Sequence, residues 1–288
     1  MSGKQSWRRL PPDHKVCCTV SENEFIERID AFCDAVPRQR ARAEEHGPLA
    51  LFVPTGPGWP YYARPRLGPR RTITVADVRE VRARQRELLI PESFEWISQA
   101  APDMAAAAGE AGLEVHAHPL MVLDALRPVS VPDDVTVRII TPSDPDLHRI
   151  WAVPSVAFRH AGTAVGEAGG AERDKIAADH DGGMVDMLRE RLRSGQSVLA
   201  AAFGPDGPLA AGSCQTVDSV AEITGVGVLP VSRRRGLGAA VTAALAADAQ
   251  ERGIGTVFLS ATDDTVARVY ARTGFRQVGV AMIAEPAR

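Results

Sequence analysis

Aromatic side chains are scarce in this sequence, with Phe, Trp and Tyr making up 5% of its 288 residues, so alanine and small aliphatics must fill much of any core. An excess of basic charge is also missing. Lys and Arg total 33 against 36 Asp and Glu. Broad binding to nucleic acid or to an anionic membrane needs a basic surface, so neither partner is expected. Nothing approaches the roughly 18 apolar residues of a membrane-spanning helix. The opening "MSGKQSWRRLPPDHK" lacks the apolar centre of a secretory signal. Cysteine is sparse too: Cys17, Cys18, Cys33 and Cys214 form no C-x-x-C pair, and adjacent cysteines clamp a metal poorly. Free thiols and a cytoplasmic location are the expectation.

What is present is ordinary globular material, 45% hydrophobic and 24% charged. Helical spacing marks 21–36, where Ser21 and Glu24 form a capping-box pattern, and also 74–89 and 102–112. Strands are expected at the start of 47–69, ahead of a Pro/Gly-rich loop, and at 93–98 and 113–123. The segment "RPVSVPDDV" (127–135) reads as a linker, dividing the chain into domains 1–130 and 131–288. A second pattern follows: a strand at 135–140, a proline-kinked helix at 144–158, a glycine-rich loop at 159–171, and helix over 172–195 broken at Gly182-Gly183. A hairpin turns at "PDG", and a third strand of the meander spans 221–229. A helix (236–252), a strand (256–261), a helix (264–273) and a strand (275–284) complete the chain. The expected fold class is α/β with a mixed sheet.

The informative stretch is "EITGVGVLPVSRRRGLGAAV" (222–241). A nucleic-acid patch needs more than three arginines in a slightly acidic chain. A dinucleotide fingerprint needs a third glycine and a βαβ setting, and this strand belongs to an antiparallel meander. The remaining reading is a pyrophosphate cradle. The first amides of a helix have no internal partners and its dipole favours an anion. Glycines at 236 and 238 let oxygens approach the backbone, and the arginines add charge.

Val228-Leu229-Pro230 followed by Arg233-x-x-Gly236-x-Gly238-Ala239 resembles the signature of the GNAT superfamily of acyl-CoA-dependent acyltransferases. "DTVARVYARTGF" (264–275) resembles that family's tyrosine-bearing helix and Gly-Phe step. The resemblance covers the second half and implies acetyl-CoA, or another acyl-CoA, as co-substrate, with no metal. It implies that strands 221–229 and 256–261 splay and that the pantetheine arm pairs with the free backbone of Val226, Gly227 and Val228. The Val228 amide, or a neighbour, would polarise the thioester carbonyl. The pyrophosphate would lie on Arg233, Arg234, Arg235, Gly236, Leu237, Gly238 and Ala239. Asp263 stands where the family often has Asn. Tyr270 matches the family's acid. Glu222 is the candidate base, and strand alternation puts it on one face with Thr224, Val226 and Val228. The loop 159–171 would border the acceptor, with Phe158, His160, Thr163 and Glu167 as contacts, while Trp151 reads as core. His116-x-His118 shows no third ligand for a metal.

The segments 94–123 and 256–285 align without a gap, Ser98 on Ser260 and Gly112 on Gly274, with Ala108 where the second has Tyr270. The first half would then be a degenerate GNAT-like copy that shapes the acceptor site or an interface. The expected activity is transfer of an acetyl or related acyl group to a small-molecule amine. A non-catalytic acyl-CoA sensor and an acyl carrier protein as donor remain alternatives, and a homodimer remains open.

Overall fold

The computed structural model describes residues 20–56, 61–69, 71–160, 162–179 and 182–287. Cys17 and Cys18 lie outside them. The first helix, α1, spans Glu22–Arg38; Ser21 caps it by accepting the Glu24 amide, and its stripe of Ile26, Ile29 and Phe32 is buried. Three strands follow: β1 (Ala41–His46), β2 (Leu49–Pro54) and β3 (Ala63–Pro65). Then come α2 (Val75–Glu87), β4 (Phe94–Ile97), α3 (Met104–Glu110) and β5 (Glu114–Leu123). The second half opens with β6 (Thr136–Ile139), α4 (Leu147–Arg159), α5 (Gly170–Ala178) and α6 (Gly182–Arg193). The meander β7 (Ser197–Gly204), β8 (Gly207–Val217) and β9 (Val220–Val228) precedes α7 (Leu237–Glu251). The chain ends with β10 (Thr256–Ser260), α8 (Asp264–Thr273) and β11 (Phe275–Glu285).

Two strands have no counterpart in the sequence reading. β1, "ARAEEH", is an edge strand with no apolar alternation, and Glu44 is held there by Arg42 and Arg84. β3 is three residues inside the Pro/Gly-rich segment. Over 172–195, α5 ends at Ala178 and α6 begins at Gly182, so the glycine pair opens the second helix and does not interrupt it.

All eleven strands form one sheet in the order β1-β2-β3-β4-β11-β5-β10-β9-β8-β7-β6. The division at 130/131 falls in the irregular stretch between β5 and β6 but does not divide this sheet. β5, from the first half, lies between β10 and β11, and β11 lies between β4 and β5. Each half therefore lends its last strand to the other.

Side-chain alternation sends apolar groups to both faces. On one face α1 packs on Phe258, Leu120 and Val122, while α4, α5 and α6 pack on Leu199, Ala201 and Ala211. On the other, α2 and α3 cover Leu49, Leu51, Phe94 and Trp96, and α7 covers Ala200, Ala210, Ile223 and Leu259.

Candidate active site

The parallel β9–β10 ladder pairs Val220 with Thr256, Ala221 with Val257 and Glu222 with Phe258, and stops. Leu259 and Ser260 continue only against Met121 and Leu120 of β5, while β9 runs on to Val228 against β8. From 223 to 228 the β10-facing backbone of β9 has no ladder partner. Backbone groups in that state are ready to bond an extended ligand.

A bulge changes which side chains face the opening. Ser213 pairs with Thr224 and Ala211 with Gly227, so Gly225 and Val226 together oppose Gly212, and Gly225 takes φ +65°. The extra residue reverses the alternation. Glu222 and Thr224 therefore face the α4 side, where a Cβ on Gly227 would strike Pro154 and Ala157. Val226 and Val228 face α7, with their methyls against Gly238. The expectation that Glu222 shares a face with Val226 and Val228 is thus corrected.

After β9 the chain makes a short 3-10 turn over Pro230–Ser232 and enters α7 through Gly236 at φ +80°. Gly236 has no side chain to cap the helix, and the first intrahelical bond is from the Ala240 amide to the Gly236 carbonyl. The amides of Leu237, Gly238 and Ala239 are left for an anion. The three arginines separate in role. Arg233 donates to the carbonyls of Ala157, His160 and Ala164, tying α4 and the following loop to the turn. Arg235 bonds Asp134 at 2.6 and 2.7 Å. Arg234, at φ +65°, is exposed, with no ion pair or hydrogen bond among the described residues.

Tyr270 sits on α8, half-buried against the α7-side core and edge-on to Phe275 at 6.3 Å. Burial raises its phenol to about 12. Asp263 caps α8, accepting the Val266 amide at 2.9 Å.

On the opposite face Glu222 opens into a cleft of about 1070 Å³ between the two halves. α1, Pro54, Thr55, Gly56, Tyr61, Tyr62 and β4 supply one wall, and α4, α6 and the meander the other. Burial raises the Glu222 carboxyl to about 7. A second carboxylate, Glu95 of β4, lines the same cleft; burial first, and the Glu222 charge second, raise it to about 8. Beneath them the fully buried Arg64 is paired with Asp30, whose backbone carbonyl also accepts from it at 2.7 Å. Its Nε has no partner. Burial and the nearby carboxylates hold the Cys33 thiol neutral, raised far above its ordinary value.

Of the acceptor candidates, Phe158 lines the cleft and is exposed. His160, Thr163 and Glu167 do not line it. Their loop runs along the arginine turn instead: the Gly166 amide bonds Pro230 and the Val231 amide bonds Ala168. His160 faces Glu172 at 3.3 Å. Trp151 packs partly against the α4 core and also lines the cleft. His118 bonds the Thr262 carbonyl, and the described residues contain no group of three metal-ligating side chains. Sequence reasoning missed Glu95. Its only signal is a carboxylate alternating with two buried aromatics in "FEWI".

A strand thus parts from its neighbour, and a glycine turn then opens a helix. Residues 148–275 match the model of the Acetyltransferase (GNAT) family. The second half thus carries a match to the GNAT acetyltransferases, a family whose co-substrate is acetyl-CoA. Its architecture is similar to that of a GCN5-related N-acetyltransferase from Kribbella flavida, at 21% identity and TM-score 0.68, over 91% of this chain and 96% of that one. A functionally unknown conserved protein from Staphylococcus epidermidis is similar at 16% identity and TM-score 0.52, over 85% of this chain and 93% of that one. A tandem GNAT protein from the clavulanic acid biosynthesis pathway is similar at 18% identity and TM-score 0.50, over 83% and 79%. No curated protein matches by sequence. Among the described residues no helix is long and apolar enough to cross a membrane.

Proposed function

We propose that the protein transfers an acetyl group, or a related acyl group, from coenzyme A to a small-molecule amine by direct attack in the gap between β9 and β10. The observation that carries this is the ladder's end at Glu222 and Phe258, which puts a half-buried carboxylate beside an open strand edge. The pantetheine amides bond the free backbone of Val226, Gly227 and Val228, the pyrophosphate lies on the α7 amides, and Arg234 adds charge. The amine enters from the cleft and gives a proton to Glu222. Its nitrogen bonds the thioester carbonyl carbon, and an amide near Val228 stabilises the oxyanion. The carbon–sulfur bond then breaks, the thiolate takes the Tyr270 proton on the far side of the sheet, the amide nitrogen loses its second proton to water, and solvent returns a proton to the phenolate.

The first half is proposed as a degenerate copy without cofactor. Helix, three strands, helix, strand, helix, strand occur in that order from α1 to β5 and, with α5 and α6 added, from α4 to β11. The alignment of 94–123 on 256–285 interchanges the adjacent pairs His118↔Ala281 and Pro119↔Val280 at the centre of the β5–β11 ladder. At the start of α2 the Asp77 carboxylate bonds the Thr74 amide at 2.8 Å, and the Asp103 carboxylate bonds the Ile73 amide at 2.9 Å. Two carboxylates thus sit at the entry to α2, where the first turn of α7 has none. The first half serves by walling the acceptor cleft.

Thiol release from acetyl-CoA with a library of amines tests the proposal. Turnover that falls in Glu222→Gln and Tyr270→Phe supports it. Cofactor binding with no release from any amine would make the protein a sensor, and release only from an acylated carrier protein would change the donor.

A further inference from the structure

The cleft holds charges of both signs in different places. Glu222 and Glu95 form its acidic part. Toward β7 the wall is Arg191 of α6, whose Nε donates to the Ser197 hydroxyl at 3.0 Å and whose Nη2 donates to the Gln215 side-chain oxygen at 2.8 Å. Both partners are neutral. Among the described residues Arg191 has no carboxylate partner; burial lowers its pKa, Tyr61 offsets part of this, and Arg40 adds to it. Arg159, exposed at the end of α4, brings another guanidinium to the same cleft.

The sheet fixes the spacing. Ser197 pairs with Gln215, and Gln215 with Glu222, in one row across β7, β8 and β9. The Arg191 guanidinium is thus tied to the strand beside Glu222, one to two strand spacings away, roughly 5–10 Å. A half-buried cation whose hydrogen-bond partners are neutral can take a further acceptor, and Arg191 retains Nη1 donors for one. A neutral-tailed amine would leave that charge uncompensated. A carboxylate would meet it with paired N–H···O bonds.

We propose that the acceptor is a compact zwitterion, an amine presented to Glu222 with an anionic group, a carboxylate, held by Arg191. The proposal rests on the acyl-transfer reading.

The test measures thiol release from acetyl-CoA with amino acids of graded length from glycine to 6-aminohexanoate, their methyl esters, the matching alkylamines and the matching aminophosphonates. At one length the zwitterion should exceed its ester and alkylamine in kcat/KM by at least about 30-fold, mainly through KM. The phosphonate arm decides between a carboxylate and a tetrahedral anion. Arg191→Met should collapse the preference to within about 3-fold, and Arg191→Lys, which keeps a charge, should restore part of it; thermal midpoints check that both variants fold. Esters or alkylamines matching the zwitterions in the parent protein would overturn this inference and leave acyl transfer standing. No release with any compound would overturn the acyl-transfer reading, and this inference with it.

Discussion

Glu222 and Tyr270 lie on opposite faces of the same sheet, on either side of the opening where β9 leaves β10. Glu222 faces the α4-side cleft, and Tyr270 packs with Val226 and Val228 under α7. The bulge at Gly225 brings this about, since without it Glu222 would share a face with those valines. Acyl transfer to an amine needs one proton removed on arrival and one supplied on departure. Two faces allow the two groups to act without neutralising each other.

Tyr270→Phe removes the phenol proton and keeps the ring against Phe275. We expect kcat to fall by about 10- to 1000-fold, with acetyl-CoA affinity little changed. Equal turnover in steady-state assays would mean that the thiolate leaves with solvent as its acid.

The pH profile follows from Glu222. Its carboxyl, raised by burial to about 7, is protonated and useless as a base below that pH. The value of kcat/KM should rise through an apparent pKa near 7. Glu222→Gln should lower it and remove that step, with the smallest loss at high pH and for amines that arrive neutral. An unchanged profile in the Gln variant would eliminate Glu222.

The same burial has a stability signature. Glu95 and Glu222 titrate at about 8 and about 7 when folded, above the ordinary carboxylate value of 4.5. The folded protein therefore holds these protons more tightly than the unfolded chain. The resulting stabilisation is fully present below the unfolded pKa and is lost as pH rises through 7 and 8. Glu95→Gln should raise the thermal midpoint at pH 9 by a few degrees and change it little at pH 5. A drop at pH 9 would show that the ionised carboxylate is well compensated.

Gly236 has two reasons to be glycine. Its φ of +80° strains any other residue, by about 1 kcal/mol or more, and the α7 amides behind it are the proposed phosphate site. Gly236→Glu should weaken acetyl-CoA binding at least about 10-fold, since its carboxylate competes for those amides. Gly236→Ala should cost stability and less affinity. Calorimetry that gives wild-type affinity for the Glu variant would contradict the assignment.

Most helices and the meander were legible because their apolar spacing and caps are local. Ser21 and the Val228–Ala239 turn announce themselves within a few residues. The strand exchange was not legible, because nothing in "LEVHAHPLMVL" says that its neighbours come from residues more than a hundred positions away. Likewise, one extra residue at Gly225 overturned the face of Glu222. The triple arginine looked like a single basic cluster, yet Arg233 and Arg235 are engaged by partners far off in sequence, Ala157 and Asp134. Glu95 became visible only when folding brought β4 to the same cleft as β9.

The most direct test of the central claim is amide hydrogen exchange with and without acetyl-CoA. The account predicts slowed exchange over 223–228, where the strand edge is open, and over 236–239 at the start of α7. It predicts no change over 73–78, where Asp77 and Asp103 already hold the helix start. Protection at 73–78, or none along 223–239, would contradict it.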